Sequence, residues 1–318
     1  MLNNNKFEFV WFWLAMIGLV VFLGVIVGIK MQYFEGEDKN KETSDNLVTK
    51  DSLLNQRMGE NSNKNLIDEK QGEQLTMFRD EFSTPRVIEE IGQMEASGDK
   101  DWWLNSGAFL YIKNGTARTI FGKLRKENKW QKKYQDYNPL ETDGGYRPQN
   151  IFRLVTRSKW QNFQQECYFK IHHYELSSDE HRSASNGLFL FNRYEDGDNL
   201  YYTGLRVDGT VVVKKKYKGK YYLMAQKKIL PGKYNRQEMP NLLPENKWLG
   251  LRSEVQTIAD DQVEIKVFVK LSPKKDWRKV ITIKDDGNKY GGRAILAKAF
   301  AGVRTDFMDV ELDNYEIK

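Results

Sequence analysis

The chain has 318 residues, 40% of them hydrophobic and 30% charged, with a formal net charge of +6 and a pI near 9.0. That mildly basic balance lacks the dense cationic stripe of a nucleic-acid binder, so no nucleic-acid partner is expected, while acidic glycans or an anionic surface remain compatible with it. A single cysteine, Cys167, excludes an internal disulfide and a thiolate metal cluster; the three histidines, His172, His173 and His181, are too few for a dinuclear site unless carboxylates supply most ligands.

Residues 9–29, FVWFWLAMIGLVVFLGVIVGI, carry no charge. As a helix at about 1.5 Å per residue they would span roughly 30 Å, the thickness of a hydrocarbon core. Trp11 and Trp13 lie near one end and Tyr33 and Phe34 just past the other, as interfacial aromatics should. The run is longer than a signal peptide needs, and Val27-Gly28-Ile29-Lys30 is a poor cleavage site. Residues 1–34 are therefore read as an uncleaved, single-pass membrane anchor. Lys6 on one side and Lys30, Lys39 and Lys41 on the other leave the positive-inside rule nearly silent on orientation.

Residues 35–77 are polar, rich in Asn, Lys, Glu, Asp and Gln, and broken only by short apolar pairs such as Leu53-Leu54 and Leu66-Ile67. Such a stretch cannot bury enough surface to offset its ordering entropy, and it reads as a stalk.

From residue 78 to 318 the pattern changes to short runs of aromatic and β-branched residues parted by Gly, Asp and Asn. Strands are expected at 107–112, 150–156, 166–174, 187–193, 199–206, 210–217, 220–226, 248–255, 262–271, 277–284, 299–305 and 308–317. Helical periodicity is confined to 86–95 and 294–298. Residues 138–147, with Pro139 and Gly144-Gly145, read as a long loop ahead of a strand. No internal repeat supports a propeller. The expectation is an all-β, two-sheet sandwich preceded by the anchor and stalk.

The stretch GLFLFNRYEDGDNLYYTGLRVDGTVVVKKKYKGKYYLMA, residues 187–225, resembles the central hairpins of concanavalin A-like (laminin-G-like) jelly rolls. NKWLGLRSEVQ, QVEIKVFVKL and GVRTDFMDVELDNYEIK are similar to later strands of that superfamily, and the resemblance covers roughly residues 80–318. It implies a jelly-roll β-sandwich displayed outside the cell membrane, with a sugar-binding groove on one sheet. It also implies a structural calcium between the first and last strands, for which Asp80 and Asp313 occupy the corresponding places.

Alternation puts Tyr168, Lys170, His172 and Tyr174 on one face of a strand, Arg153 and Arg157 on one face of the preceding run, Arg193 with Phe189 and Phe191, and Arg206 with Tyr202. Arg153, Lys170, His172, Tyr174, Arg193, Tyr202 and Arg206 are thus the candidate ligand-binding residues. Aromatic faces would stack on sugar rings while Arg forks bond hydroxyls or carboxylates. Lys, Arg and Tyr are equally normal on a solvated antiparallel face.

The jelly-roll glycosidase pattern Glu-x-Asp-x-x-Glu is absent, and Asp196, Asp198, Glu254 and Glu264 never fall at that spacing. Nothing in the sequence pairs two carboxyls at the roughly 5 Å that a retaining mechanism needs. His172 with Tyr174, Arg153 and Arg193 matches the residue types of jelly-roll lyases, but their Gln-x-His and Tyr-x-Lys-x-Gly signatures are missing. Phosphate-cradling Gly-rich loops, His-Glu-x-x-His and Gly-x-Ser-x-Gly are absent too. The expected function is non-catalytic glycan binding at the cell surface; the alternatives are a polysaccharide lyase or glycoside hydrolase on the same fold, and a protein-interaction module.

Overall fold

Alternation decides which side of each strand faces inward, and it is cleanest in β7 (Phe163–Tyr174), where every second side chain is buried as far as Ile171, and throughout β13 (Gln262–Lys270). The computed structural model describes residues 77–318. The anchor expected at 9–29 and the stalk expected at 35–77, its last residue apart, lie outside the described residues. Among those described, no helix is long and apolar enough to cross a membrane.

The remaining strands are β1 (Phe78–Asp80), β2 (Arg86–Glu89), β3 (Trp102–Ser106), β4 (Phe109–Lys113), β5 (Thr116–Arg118), β6 (Ile151–Trp160), β8 (Gly187–Asp196) and β9 (Asn199–Arg206). They continue as β10 (Thr210–Tyr217), β11 (Lys220–Lys228), β12 (Trp248–Ala259), β14 (Arg278–Asp285), β15 (Ala299–Asp306) and β16 (Met308–Ile317). A large sheet runs β14-β13-β12-β7-β16-β5-β4-β2, with β1 also on β16; a small sheet runs β11-β10-β9-β8-β15-β6-β3. All pairings within the two sheets are antiparallel. The two C-terminal strands β15 and β16, separated only by Phe307, insert into the interiors of opposite sheets. The fold is therefore an all-β sandwich, as expected.

Between the sheets lies one apolar core. Cys167, Phe169 and Ile171 of β7 and Val263, Ile265 and Val267 of β13 meet Leu188 and Leu190 of β8, Val211 and Val213 of β10, and Ala301 and Val303 of β15. Each fully buried Val, Leu, Ile or Phe contributes about 1.5–3 kcal/mol. The small sheet is covered on its outer side as well. Phe189, Phe191, Tyr194, Leu200, Tyr202 and Val212 form a second cluster there, which explains why β8 reads GLFLFNRY without polar alternation.

Polar ties cross the core. Gln165 of the large sheet donates to the Asn192 side chain of the small sheet at 2.8 Å, and Ser253 donates to the same Asn192 oxygen at 2.6 Å. At the sheet edges, Lys215 of β10 meets Asp285 of β14 at 2.8 Å, with both side chains fully buried. Tyr201 donates to Asp285 at 2.6 Å, and Lys215 donates to the carbonyls of Gly292 and Arg293 at 2.9 and 2.7 Å.

Two helical expectations fail. Residues 86–89 are β2 because β-branched Val87 and Ile88 sit side by side, and Arg86 is drawn into ion pairs with Asp80 and Asp99, both at 2.7 Å. At 294–298 the chain is irregular, and Ile295 is held by its N–H to the Tyr201 phenol oxygen at 3.0 Å and its carbonyl to Arg193 at 2.7 Å. The helix that does form, α1 (Lys129–Tyr137), follows Asn128, whose side chain accepts the Trp130 N–H at 2.9 Å as an N-cap. Its only apolar stripe is Trp130 and Tyr134, one turn apart, and Tyr134 anchors it by donating to Glu90.

Removing one partner of the buried pair leaves an uncompensated charge. Lys215→Met should lower unfolding free energy by roughly 3–5 kcal/mol, and adding Asp285→Leu should recover part of that loss. Guanidinium unfolding followed by tryptophan fluorescence checks this; a neutral single variant refutes it.

Candidate functional site

The small sheet presents two rows of side chains on its outer face, set by strand register. One row joins Arg153 (β6), Arg304 (β15), Phe189 (β8), Gly204 (β9) and Val212 (β10). The next joins Phe191, Tyr202 and Lys214. Gly204 is required where it stands: a Cβ there would lie 2.5 Å from the Phe189 ring. Tyr202 packs edge-on against Phe191 and Phe189, at 5.4 and 6.3 Å between ring centroids.

These rows floor a cavity of about 450 Å³. Tyr202, Lys214, Tyr221, Arg304 and Asp306 line it from the strands, and Glu141, His181, Ser183, Ser185 and Asn186 from the loops before β6 and β8. Arg304 bonds Asp306 through Nε at 2.6 Å and points Nη1 at the Tyr202 oxygen, 3.5 Å away. Burial opposes the guanidinium charge, but Asp306 and the two phenols outweigh it and hold its pKa well above the ordinary arginine value. Burial, with Arg206 and Arg304 as like charges, pushes the Lys214 ammonium down against the pull of Asp306. Lys214 has no carboxylate or hydrogen-bond partner among the described residues; its Nζ lies 6.0 Å from the Phe189 ring centroid.

The two phenols at the site diverge. Burial pushes Tyr202 up, with Arg304 opposing. Burial also works to raise Tyr221, yet Arg304, the Tyr202 hydrogen bond and Lys216 together hold it below the usual phenol range. The Lys216 ammonium stands 5.2 Å from its ring centroid, and the ring is 54% exposed, available to a ligand.

The seven candidate ligand residues separate. Tyr202 lines the cavity, and half-buried Arg153 stands in the adjacent row, with Nη1 3.5 Å from Asn105 Oδ1. Arg206 closes the end of β9, bonded to Asp208 at 2.6 Å and to the Ala184 carbonyl at 2.9 Å. Lys170 and His172 are on the outer face of the other sheet, sharing Glu311 at 2.5 and 3.0 Å. Tyr174 does not share their face: the register of β7 against β16 shifts between Ile171 and His173, and Tyr174 turns into the core.

Arg193 does not share a face with Phe189 and Phe191 either. The register of β8 breaks after Asn192, and Arg193 adopts a positive φ of 48°. Its fully buried guanidinium donates to Gln161 O, Ile295 O, Asn162 Oδ1 and Thr257 Oγ1 at 2.7–3.2 Å. It ties the two sheets together and reaches no groove.

The calcium expectation meets a different cation. Asp80 accepts the Phe82 N–H at 2.7 Å, the Arg86 guanidinium at 2.7 Å and the Trp102 indole at 2.9 Å. Those three donors occupy the carboxylate, while Asp313 takes the Asn314 N–H at 2.7 Å. Among the described residues no group of three His, Cys, Asp or Glu could hold a metal. In the loop at 196–199 Asp196 is engaged by Asp198 N–H and the Asn199 amide, as in an ordinary acidic turn.

Sequence reasoning missed Arg304, Lys214 and Tyr221. The available signal was the alternation Val212-Lys214-Lys216 and the Arg304-x-Asp306 spacing, each of which puts its members on one face.

No protein-family model matches the chain, and no curated protein matches its sequence. Among solved structures, the carbohydrate binding module CBM66 from Bacillus subtilis aligns with a TM-score of 0.36 at 15% identity, covering 54% of this chain and 84% of that one. The Ca2+-bound exoplasmic/lumenal domain of VIP36 aligns at 0.38 and 10%, covering 72% and 88%. The GH43 protein BlXynB from Bacillus licheniformis aligns at 0.39 and 11%, covering 75% of this chain but 38% of that one. The all-β sandwich rests on the sheet order described above.

Two outcomes follow from this geometry. Tyrosinate absorbance titration should reveal one phenol ionising below the ordinary range; Tyr221→Phe removes it, and Arg304→Gln moves it upward because the cation favouring the phenolate is gone. Arg193→Met should lower stability by roughly 3–5 kcal/mol, because Gln161 O, Ile295 O and Thr257 Oγ1 lose the guanidinium as donor at about 1–3 kcal/mol each, while Asn162 Oδ1 keeps the Thr257 N–H; thermal melting measures it.

Proposed function

We propose that the chain binds an anionic glycan in the outer groove of the small sheet. The observation that carries this reading is Lys214: a desolvated ammonium without a carboxylate partner among the described residues, beside Arg304 and two phenols in a cavity of about 450 Å³. A uronate carboxylate or sugar sulfate supplies the missing counter-charge. Ser183, Ser185 and Asn186 offer hydroxyl and amide groups to the sugar, and the exposed Tyr221 ring offers a stacking face. In this reading residues 9–29 anchor the chain, residues 35–77 space the sandwich from the bilayer, and the groove faces the cell exterior.

The test is calorimetric titration of the detergent-solubilised full chain with polygalacturonate and with a neutral xylan. Binding is expected for the acidic polymer, weakened by salt and by about tenfold in Lys214→Ala, a loss of about 1.4 kcal/mol. Equal affinity for both polymers, or indifference to Lys214→Ala, refutes it.

A second reading, a polysaccharide lyase, is favoured by the lowered Tyr221 phenol beside Arg304 in a cavity that also holds His181. Arg304 would neutralise the uronate and a phenolate would take the C5 proton, while the C4–O glycosidic bond breaks, a C4=C5 double bond forms and the departing oxygen takes a proton from water. Appearance of an unsaturated product, absorbing in the ultraviolet and lost in Tyr221→Phe, selects this reading over simple binding.

A further inference from the structure

The outer face of the large sheet carries an ordered row that the groove does not use. Strand register aligns Val87 (β2), Tyr111 (β4), Arg118 (β5), Glu311 (β16), Lys170 (β7) and Trp248 (β12) as successive cross-strand partners. Their sequence neighbours Ile88, Ile112, Ala117, Leu312, Phe169 and Leu249 are buried on the opposite side. All six members of the row line one open cleft of about 1000 Å³. With strands about 4.8 Å apart, five steps make a track roughly 24 Å long.

The chemistry along the track is specific. Arg118 lies between two rings, 5.3 Å from the centroids of both Tyr111 and Phe121. It makes no ion pair and no side-chain hydrogen bond among the described residues, so its planar fork is oriented by the rings and its donors are open. Tyr111 and Phe121 are 37% and 36% exposed. Further along, Lys170 stands 5.0 Å from the Trp248 ring centroid and holds Glu311, which His172 also contacts. The cleft adds Lys113, with Asp313 as its one further carboxylate; Arg86 also lines it, but its guanidinium is held by Asp80 and Asp99.

We propose that this track is a second, independent binding site for an extended acidic polysaccharide. An acidic peptide fits it poorly. Peptides add along a sheet edge, where unpaired backbone groups supply their hydrogen bonds. This row starts on the edge strand β2 but runs on across β4, β5, β16, β7 and β12, whose backbone groups already pair with strands on both sides, so along most of its length an occupant is recognised by side chains alone. Alternating ring platforms and cations suit a polymer of rings bearing anionic groups. The proposal shares only a ligand class with the small-sheet groove, and the two sites lie on opposite outer faces. A chain with both is bivalent by construction.

The experiment counts heparin hexasaccharides bound per detergent-solubilised full chain by calorimetry, with poly-L-glutamate as a peptide polyanion. Two per chain are expected. Arg118→Ala with Trp248→Ala should leave one, Lys214→Ala with Tyr221→Ala should leave the other, and the four together none. Arg118→Lys, which keeps the charge but loses the fork, should weaken the track about tenfold. Near-ultraviolet circular dichroism of each variant verifies folding. One site untouched by the Arg118 variants overturns the track and leaves the groove. One site lost only with Arg118 and Trp248 supports the track and removes the groove. Equal affinity for poly-L-glutamate overturns the track as a glycan site, and no hexasaccharide bound overturns both.

Discussion

Three consecutive lysines, 214–216, stand on β10, and alternation turns either the middle one or the outer two toward the core. Asp285 settles which. Its buried carboxylate, across the gap on β14, captures Lys215, and strand alternation then sends Lys214 and Lys216 to the outer face. A slip of one residue would bring Lys214 inward and Lys215 out, inverting the side-chain pattern of β10. The groove's unpartnered ammonium thus follows from a charge pair on the opposite side of the strand. The same pair clamps the carbonyls of Gly292 and Arg293, and Arg193 holds Ile295, so the segment after β14 is secured to the core by two buried cations.

The two outer faces differ because their surroundings differ. Around the small sheet, loops and the second aromatic cluster bury most of the face, leaving a half-open hollow in which partial desolvation sharpens electrostatic contrasts. That is why two neighbouring phenols, Tyr202 and Tyr221, shift in opposite directions. The large sheet lacks such walls. Its side chains stay half-exposed in a regular row of rings and charges, in which Lys170 and His172 share Glu311.

Most strands were legible because alternation and turn residues are local signals. The strand expected at 166–174 ends where β7 does and falls three residues short at its start, and the doubly apolar β8 is found despite lacking polar alternation. Partnership between distant strands was not legible: Lys170 and Tyr202 look equivalent in sequence, yet they lie on opposite sheets. Bulges defeated the alternation argument at two residues. One extra residue before Tyr174 turns it inward, and the kink at Arg193 converts an expected groove cation into a tie between sheets. Helix α1 escaped notice because a two-residue stripe and an Asn cap leave too little periodic signal. The polar ties made by Gln165, Asn192 and Ser253 need three-dimensional proximity to be recognised at all.

Cys167 sits at the centre of β7 with no exposed surface, and burial pushes its thiol well above the ordinary range. Only the thiolate reacts readily, so thiol reagents such as maleimides meet no reactive thiol while the sandwich is closed. The one thiol in the sequence therefore becomes a clock for opening: its modification rate reports how often the interior of β7 meets solvent. Any cysteine introduced on either outer face would be labelled first, against a silent background.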